Sequence, residues 1–402
     1  MRSFRLIPTL PIALALVAAV PATADAGSAR GLFGLPVLSR ADFNRLARQA
    51  GVPLFWVDDR NDDGLPAAAE VEVLGVGADR VAWIDSDNFT ARFESAWRDL
   101  VDMRRREAVR RELDQGFPTL VAMDLTGLSP AEVGLVRHVE SAARKVEALH
   151  GRQMGGAAFS GRIAALDPES RALFDRNQGP WCQAPQTEND PFCNALPDFP
   201  DRRWDAYPEG MSHDSALCKS LAERPDARDL LAPFVVVRKE GDALKAVPLV
   251  VAYGAEMKAI ADDLRAAAKS ARDAKEPAFA KYLLAAAAGF ETNDWTAADE
   301  AWSRMDSRNS KWYLRVGPDE VGWDLCQEKA GFHVSFARVD RGSLELQDRL
   351  MPLRQEMETS LATLIGGPYK ARKVSFHMPD FIEMVINAGD SRHPQGATMG
   401  QS

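Results

Sequence analysis

Between positions 58 and 70 the chain reads DDRNDDGLPAAAE, five carboxylates and one amide gathered around a single glycine. Like charges this dense repel, and burying them unpaired is costly. The stretch must therefore be a loop whose oxygens are met by water, backbone N–H groups or a cation. Gly64 permits a sharp turn at its centre. Upstream, Ser39-Arg40-Ala41-Asp42 predicts a capped helix that ends near Gly51. Downstream, Pro66-Ala67-Ala68-Ala69-Glu70 predicts the start of a second helix that stops before Gly75. A helix–loop–helix unit at the beginning of the fold is the expectation.

The spacing inside the loop carries chemistry. With Asp59 as position one, Asn61 is three, Asp63 five, Gly64 six and Glu70 twelve, the D-x-[DN]-x-[DN]-G-x₅-E pattern of an EF-hand calcium loop. Calcium takes six to eight oxygens, and short side chains at alternate positions reach it. Asp59, Asn61 and Asp63 are the candidate side-chain ligands, Leu65 offers its carbonyl, and Glu70 is long enough to clamp with both oxygens. Ala67 has no ligand oxygen, so water fills that position. Pro66 lacks the N–H with which paired hands bridge, so a solitary hand is expected. The plain alternative is a charged surface loop preceding a helix.

The chain has 402 residues and a formal charge of −9, too long for one ordinary core, and two or three domains are expected. A net-acidic chain does not suit general nucleic-acid binding, which needs excess Lys and Arg. Residues 1–26 read as a signal peptide: Arg2 and Arg5, an apolar run Ile12 to Val20, and Ala24-Asp25-Ala26 as a cleavage site. A secreted or periplasmic location follows, with no membrane span after cleavage. The four cysteines, Cys182, Cys193, Cys218 and Cys326, suit an oxidising compartment and permit three pairings.

The rest reads as mostly α with some β, an α+β fold. Residues 27–85 form the EF-hand-like unit, 86–175 a helical region, 176–222 a Cys- and Pro-rich loop or linker, and 223–402 an α+β region. Ala91 to Leu113 is a long helix whose arginines are expected on a solvated face. Ser129-Pro130-Ala131-Glu132 opens a helix that runs to His150, with Gly151 as its stop. A hairpin is expected around Glu240-Gly241-Asp242, with Phe234 to Arg238 and Ala243 to Leu249 as its arms. Glu256 to Ala274 and Ala278 to Phe290 are alanine-rich helices, and Trp312 to Val316 is a strand. Leu344 to Ile365 reads as one long helix, Val374 to Phe376 as strand-like, and Asp380 to Asn387 as a short helix.

No HExxH, nucleophile elbow, P-loop or helix-borne His pair is present. Other segments carry a resemblance. FETNDWTAADEAWSRMDS, WYLRVGPDEVGWD, KAGFHVSFARVD and MPDFIEMVINAGDSRHPQGA follow in order. Over roughly the last 150 residues the chain resembles the dipeptidyl peptidase III family of zinc exopeptidases. The resemblance implies that Glu320 holds the N-terminal amine of a peptide. It also implies that Pro394, Gln395 and Gly396 pair their backbone with the extended peptide, as β-augmentation does. Gly322 stands where the family has a substrate-contacting tyrosine, and Asp324 matches the aspartate that closes that motif. The family's zinc ligands lie beyond the last of these segments, so zinc is expected only in a longer chain. The function expected is the N-terminal portion of a secreted zinc metallopeptidase, supplying a calcium-braced scaffold and a peptide-binding surface. The alternative is a non-catalytic, calcium-binding peptide- or protein-binding module of the cell envelope.

Overall fold

The computed structural model describes residues 30–75, 79–117, 120–375 and 381–392. The leader and Pro394, Gln395 and Gly396 lie outside the described residues. The chain is α+β, as expected, with antiparallel pairings throughout its small sheets.

The first unit opens with α1 (Arg40–Ala50), whose N-cap Ser39 accepts from the Asp42 N–H and whose stop is a left-handed Gly51. Strand β1 (Leu54–Trp56) pairs with β2 (Val71–Val73). The second helix expected after the acidic loop is absent. Ala68–Glu70 makes a single 3₁₀ turn and runs directly into β2. Pairing of Leu54 and Trp56 with Val73 and Val71 draws both ends of the loop together, and the β-branched valines favour that strand over helical continuation. The loop therefore sits at the tip of a hairpin, not between two helices. A short pair, β3 (Ile84–Asp85) and β4 (Asn88–Phe89), leads into α2 (Ala91–Leu113). Phe43, Trp56, Phe93 and Trp97 close this core.

The arginine-rich stripe of α2 is only partly solvated. Arg105 is buried, and its guanidinium donates to Asp102 (2.6 Å), Ser170 Oγ (2.7 Å), Asp167 (3.1 Å) and the carbonyls of Asn194 and Ala195 (3.1 Å each). Five N–H donors in a planar fork let arginine satisfy itself there. Next come α3 (Pro130–Gln153), one turn longer than expected because Gly151 is accommodated inside it, and α4 (Pro168–Asn177).

Residues 178–214 are a loop stapled by Cys182–Cys193, and Cys218–Cys326 is the second disulfide. Between them lie α5 (Ser215–Ala222) and α6 (Ala227–Leu230). The hairpin forms as expected from β5 (Val235–Glu240) and β6 (Ala243–Pro248), turning at Gly241. Helices α7 (Leu249–Ala252), α8 (Gly254–Asp273), α9 (Pro277–Thr292) and α10 (Thr296–Trp302) follow. Alanine lets α3, α8 and α9 approach closely, and Ala142, Ala143, Ala267, Ala268, Ala286 and Ala287 are all buried between them.

That helical layer covers one face of a sheet ordered β7 (Trp312–Pro318), β8 (Phe332–Val339) and β9 (Ile382–Gly389). Leu314, Val316, Phe332, Val334 and Phe336 face the helices. The Ile382–Gly389 segment is a strand where a helix was expected. Its full-length ladder with β8 outweighs the local helix preference of Glu383 and Met384. The long helix expected over 344–365 is broken into α11 (Arg341–Leu350) and α12 (Arg354–Ile365). Pro352 sits in the 3₁₀ turn between them, where it cannot continue the i→i−4 ladder.

Candidate functional site

Carboxylates gather in two places: the acidic loop, and the region where β7 and β9 end.

In the loop, the backbone folds around the side-chain oxygens. Asp59 accepts from the N–H groups of Asp63 (3.2 Å) and Gly64 (3.0 Å), and Asp63 accepts from Leu65 (2.8 Å). Asn61 donates to Asp63 at 2.7 Å. Glu70, 4% exposed, spends Oε1 on the Arg60 N–H (2.8 Å) and Oε2 on that of Ala67 (3.0 Å). Asp62 and Gly64 take left-handed backbone, φ 58° and 73°. The turn thus brings Asp59, Asn61, Asp63 and Glu70 around one loop, with all hard oxygen donors. To coordinate an ion, Asn61 would have to turn its carbonyl oxygen inward and Glu70 would have to release backbone N–H groups.

The second cluster is set by strand ends. β7 closes at Pro318, and the backbone then folds back on β8. The Asp319 N–H donates to the Gly331 carbonyl (3.1 Å), and the Gly331 N–H donates to that of Glu320 (2.8 Å). This turn presents Asp319 and Glu320 at the surface. Asp319 is engaged by Arg315 (3.0 Å), which also reaches Asp299 at 2.5 Å. Glu320 is exposed and has no partner among the described residues. Beyond it, the buried Asp324 takes the Tyr207 hydroxyl (2.8 Å) and the N–H groups of Glu328 (3.0 Å) and Lys329 (3.1 Å). Asp324 thus braces the loop, and Cys326, two residues on, is tied to Cys218. Gly322, at the place of the family tyrosine, has open space around its Cα.

Across from this turn, β9 ends at Gly389 (φ 66°), where a Cβ would lie 2.2 Å from the Phe332 carbonyl oxygen. Only glycine fits that left-handed, crowded position. Its N–H donates to Glu147 Oε2 on α3 (2.7 Å), and Glu147 also takes Gln178 (2.8 Å) and Arg392. Asp390 follows this latch, across β8 from the 319–320 turn. Burial, then Glu320 and Asp319, push the Asp390 carboxyl up from 3.8 to about 6. Two buried histidines lie near: His150 Nε2 is 3.9 Å from Asp390 and His333 Nε2 is 3.8 Å from Asp319. A cavity of about 170 Å³ is lined by Trp295, Asp299, Arg315, Asp319 and His333 among others, and by none of His150, Glu320 and Asp390.

Asp390 is absent from the sequence-predicted site. Among the described residues, one His/Cys/Asp/Glu group is tight enough to hold a metal: Glu112 with Cys182 and Cys193. The two thiols form a disulfide and Glu112 accepts hydrogen bonds from five residues, so that group does not fit zinc.

No family model matches the chain, and no curated protein matches it either. Solved structures do. Dipeptidyl-peptidase III from Corallococcus sp. strain EGB is 24% identical over 71% of this chain and 53% of its own, with a TM-score of 0.54. DPP III from Caldithrix abyssi is 24% identical over 70% of this chain and 53% of its own, with a TM-score of 0.56. The chain shares the fold of dipeptidyl-peptidase III. It spans about half the length of these structures. No helix among the described residues is long and apolar enough to cross a membrane. The two disulfides are compatible with an extracellular or periplasmic protein.

Proposed function

We propose that the chain forms the peptide-binding part of a secreted, dipeptidyl-peptidase-III-like metallopeptidase. Glu320 holds the N-terminal ammonium of a short peptide, and the extended peptide runs along the segment containing Pro394, Gln395 and Gly396. The observation that carries this reading is Glu320 itself, an exposed carboxylate without a partner on the dipeptidyl-peptidase III fold. An ammonium supplies three donors to such an acceptor. Zinc, held by residues of a longer chain, would activate water for amide hydrolysis. No step through that ion is assigned to residues 1–402.

The test is calorimetric titration with the tetrapeptide Gly-Ala-Phe-Leu and its N-acetylated twin. The free-amine peptide binds and the acetylated one does not compete. Glu320→Gln weakens binding by roughly 1.5–3 kcal/mol, the range for a charge-assisted contact. Equal binding of the two peptides removes Glu320 from the role.

The acidic loop supports a second, separate proposal: calcium held by Asp59, Asn61, Asp63, the Leu65 carbonyl and Glu70 braces the N-terminal unit. The supporting features are the D-x-N-x-D-G-x₅-E spacing and the folding of loop N–H groups onto the Asp59 and Asp63 carboxylates. Calcium raises the melting temperature of the parent chain, and Glu70→Gln abolishes that increment. A melting temperature indifferent to millimolar calcium sinks the idea.

A further inference from the structure

Two sheltered arginines are treated differently by the fold. The buried Arg105 reaches Asp102, Ser170, Asp167 and the carbonyls of Asn194 and Ala195. Arg202, on the loop that precedes α5, is half-buried and makes no hydrogen bond or ion pair among the described residues. Its guanidinium lies over the Trp204 ring, 4.4 Å from the centroid. That stacking offsets part of the burial but supplies no acceptor. Burial pulls the pKa of Arg202 down from 12.5 to about 10.

The carboxylates nearest in sequence are all engaged elsewhere. Asp198 pairs with Arg162 (2.7 Å), Asp201 with Arg30 (3.1 Å) and Glu209 with Arg203 (3.3 Å). Asp205 serves Arg238 (3.2 Å) and Arg152 (3.6 Å). The one carboxylate whose charge is felt at Arg202 is Glu188, an exposed residue of the Cys182–Cys193 loop that forms no ion pair with it. The platform itself is fixed. Trp204 is buried, its Nε1 donates to the Trp323 carbonyl (3.1 Å) and its backbone N–H donates to His213 Nδ1 (2.9 Å). Of the three guanidinium nitrogens only Nε is sealed from solvent, so the forked end stays open.

We infer that Arg202, held flat on Trp204, is a binding site for a small oxyanion, a phosphate or a carboxylate, that closes on the open fork. Two parallel N–H donors match the two oxygens of such a group, and a monatomic anion cannot use both equally well. The site is independent of Glu320 and of the acidic loop. A chain of net charge −9 repels anions in general, so a saturable anion site on it has to be local.

The experiment is calorimetric titration of the full chain with inorganic phosphate, acetate and chloride. Phosphate or acetate saturates one site with a Kd on the order of 1 mM, as two charge-assisted hydrogen bonds allow. Arg202→Gln weakens that binding roughly tenfold or more. Arg203→Gln, which removes the exposed neighbour paired with Glu209, leaves it unchanged. Glu188→Gln tightens it, because a like charge facing the anion is gone. In ¹⁵N spectra of the parent chain the Arg202 Nε–H resonance shifts with the same saturation, a readout that stands even if Arg202→Gln fails to fold. The absence of a saturable site for phosphate and for acetate overturns the inference. So does binding in Arg202→Gln equal to that of the parent, or chloride binding as tightly as the oxyanions.

Discussion

Glu112 is fully buried and Asp390 half-buried, and their surroundings are opposite. Glu112 on α2 is fully enclosed and receives Arg176 (2.6 Å), Asn177 (2.9 Å), the N–H groups of Gln183 (3.1 Å) and Ala184 (3.1 Å), and the Thr187 hydroxyl. Burial alone would raise its pKa, but Thr187, Asn177 and the two amides outweigh it and hold the carboxyl below its usual range. Asp390 has burial without donors, and its pKa moves the other way. A satisfied buried charge braces the fold, whereas an unsatisfied one costs stability. The two regions also have a disulfide each. Cys182–Cys193 closes the loop that feeds donors to Glu112, and Cys218–Cys326 anchors the loop that begins at Glu320.

The largest effect should come from removing the brace. Glu112→Ala strands Arg176 and the backbone donors of the 182–187 loop, and urea unfolding should show a loss of about 3–5 kcal/mol. A loss under 1 kcal/mol would show that the network is not what holds that loop. Next is the Cys218–Cys326 pair, 108 residues apart. Replacing both with alanine should cost roughly 2–4 kcal/mol and weaken peptide binding, because the loop carrying Glu320 loses its anchor. Unchanged peptide affinity in that variant would separate the disulfide from the site.

Asp390→Asn should act in the opposite direction. Because the folded carboxyl titrates above its unfolded value of 3.8, the fold carries no penalty below that pH and a growing one as pH rises through about 6. At pH 8 the variant should be more stable by up to roughly 2 kcal/mol, and at pH 4 indistinguishable from the parent. Destabilisation at pH 8 would make Asp390 another brace. For Glu112, whose carboxyl is depressed, stability is present above the unfolded value of 4.5 and is lost as pH falls through the lower folded value. The smallest effect belongs to Glu320→Gln, which should change stability by less than ~0.5 kcal/mol while weakening peptide binding.

Sequence pattern was informative where local preference and tertiary pairing agree. The alanine-rich α8–α9 pair, the β5–β6 hairpin with Gly241 and the capped starts of α1 and α3 were all readable from side chains within a few residues. It failed where a distant partner decides. Ile382–Gly389 is a strand because β8 lies beside it, and Val71–Val73 is a strand because Leu54–Trp56 does. Glu320 was singled out through its motif, by resemblance alone. Asp390 was not, because its character arises from burial against residues 319–320, some 70 positions earlier, and from donors that are missing rather than from any spacing.

The most direct measurement of the contrast between these two carboxylates is a ¹³C NMR titration of Asp390 and Glu112. A half-buried carboxylate facing two like charges, with no hydrogen-bond donor among the described residues, should titrate near pH 6. Glu112 should titrate below its usual range, and an Asp390 midpoint close to 4 would contradict the account.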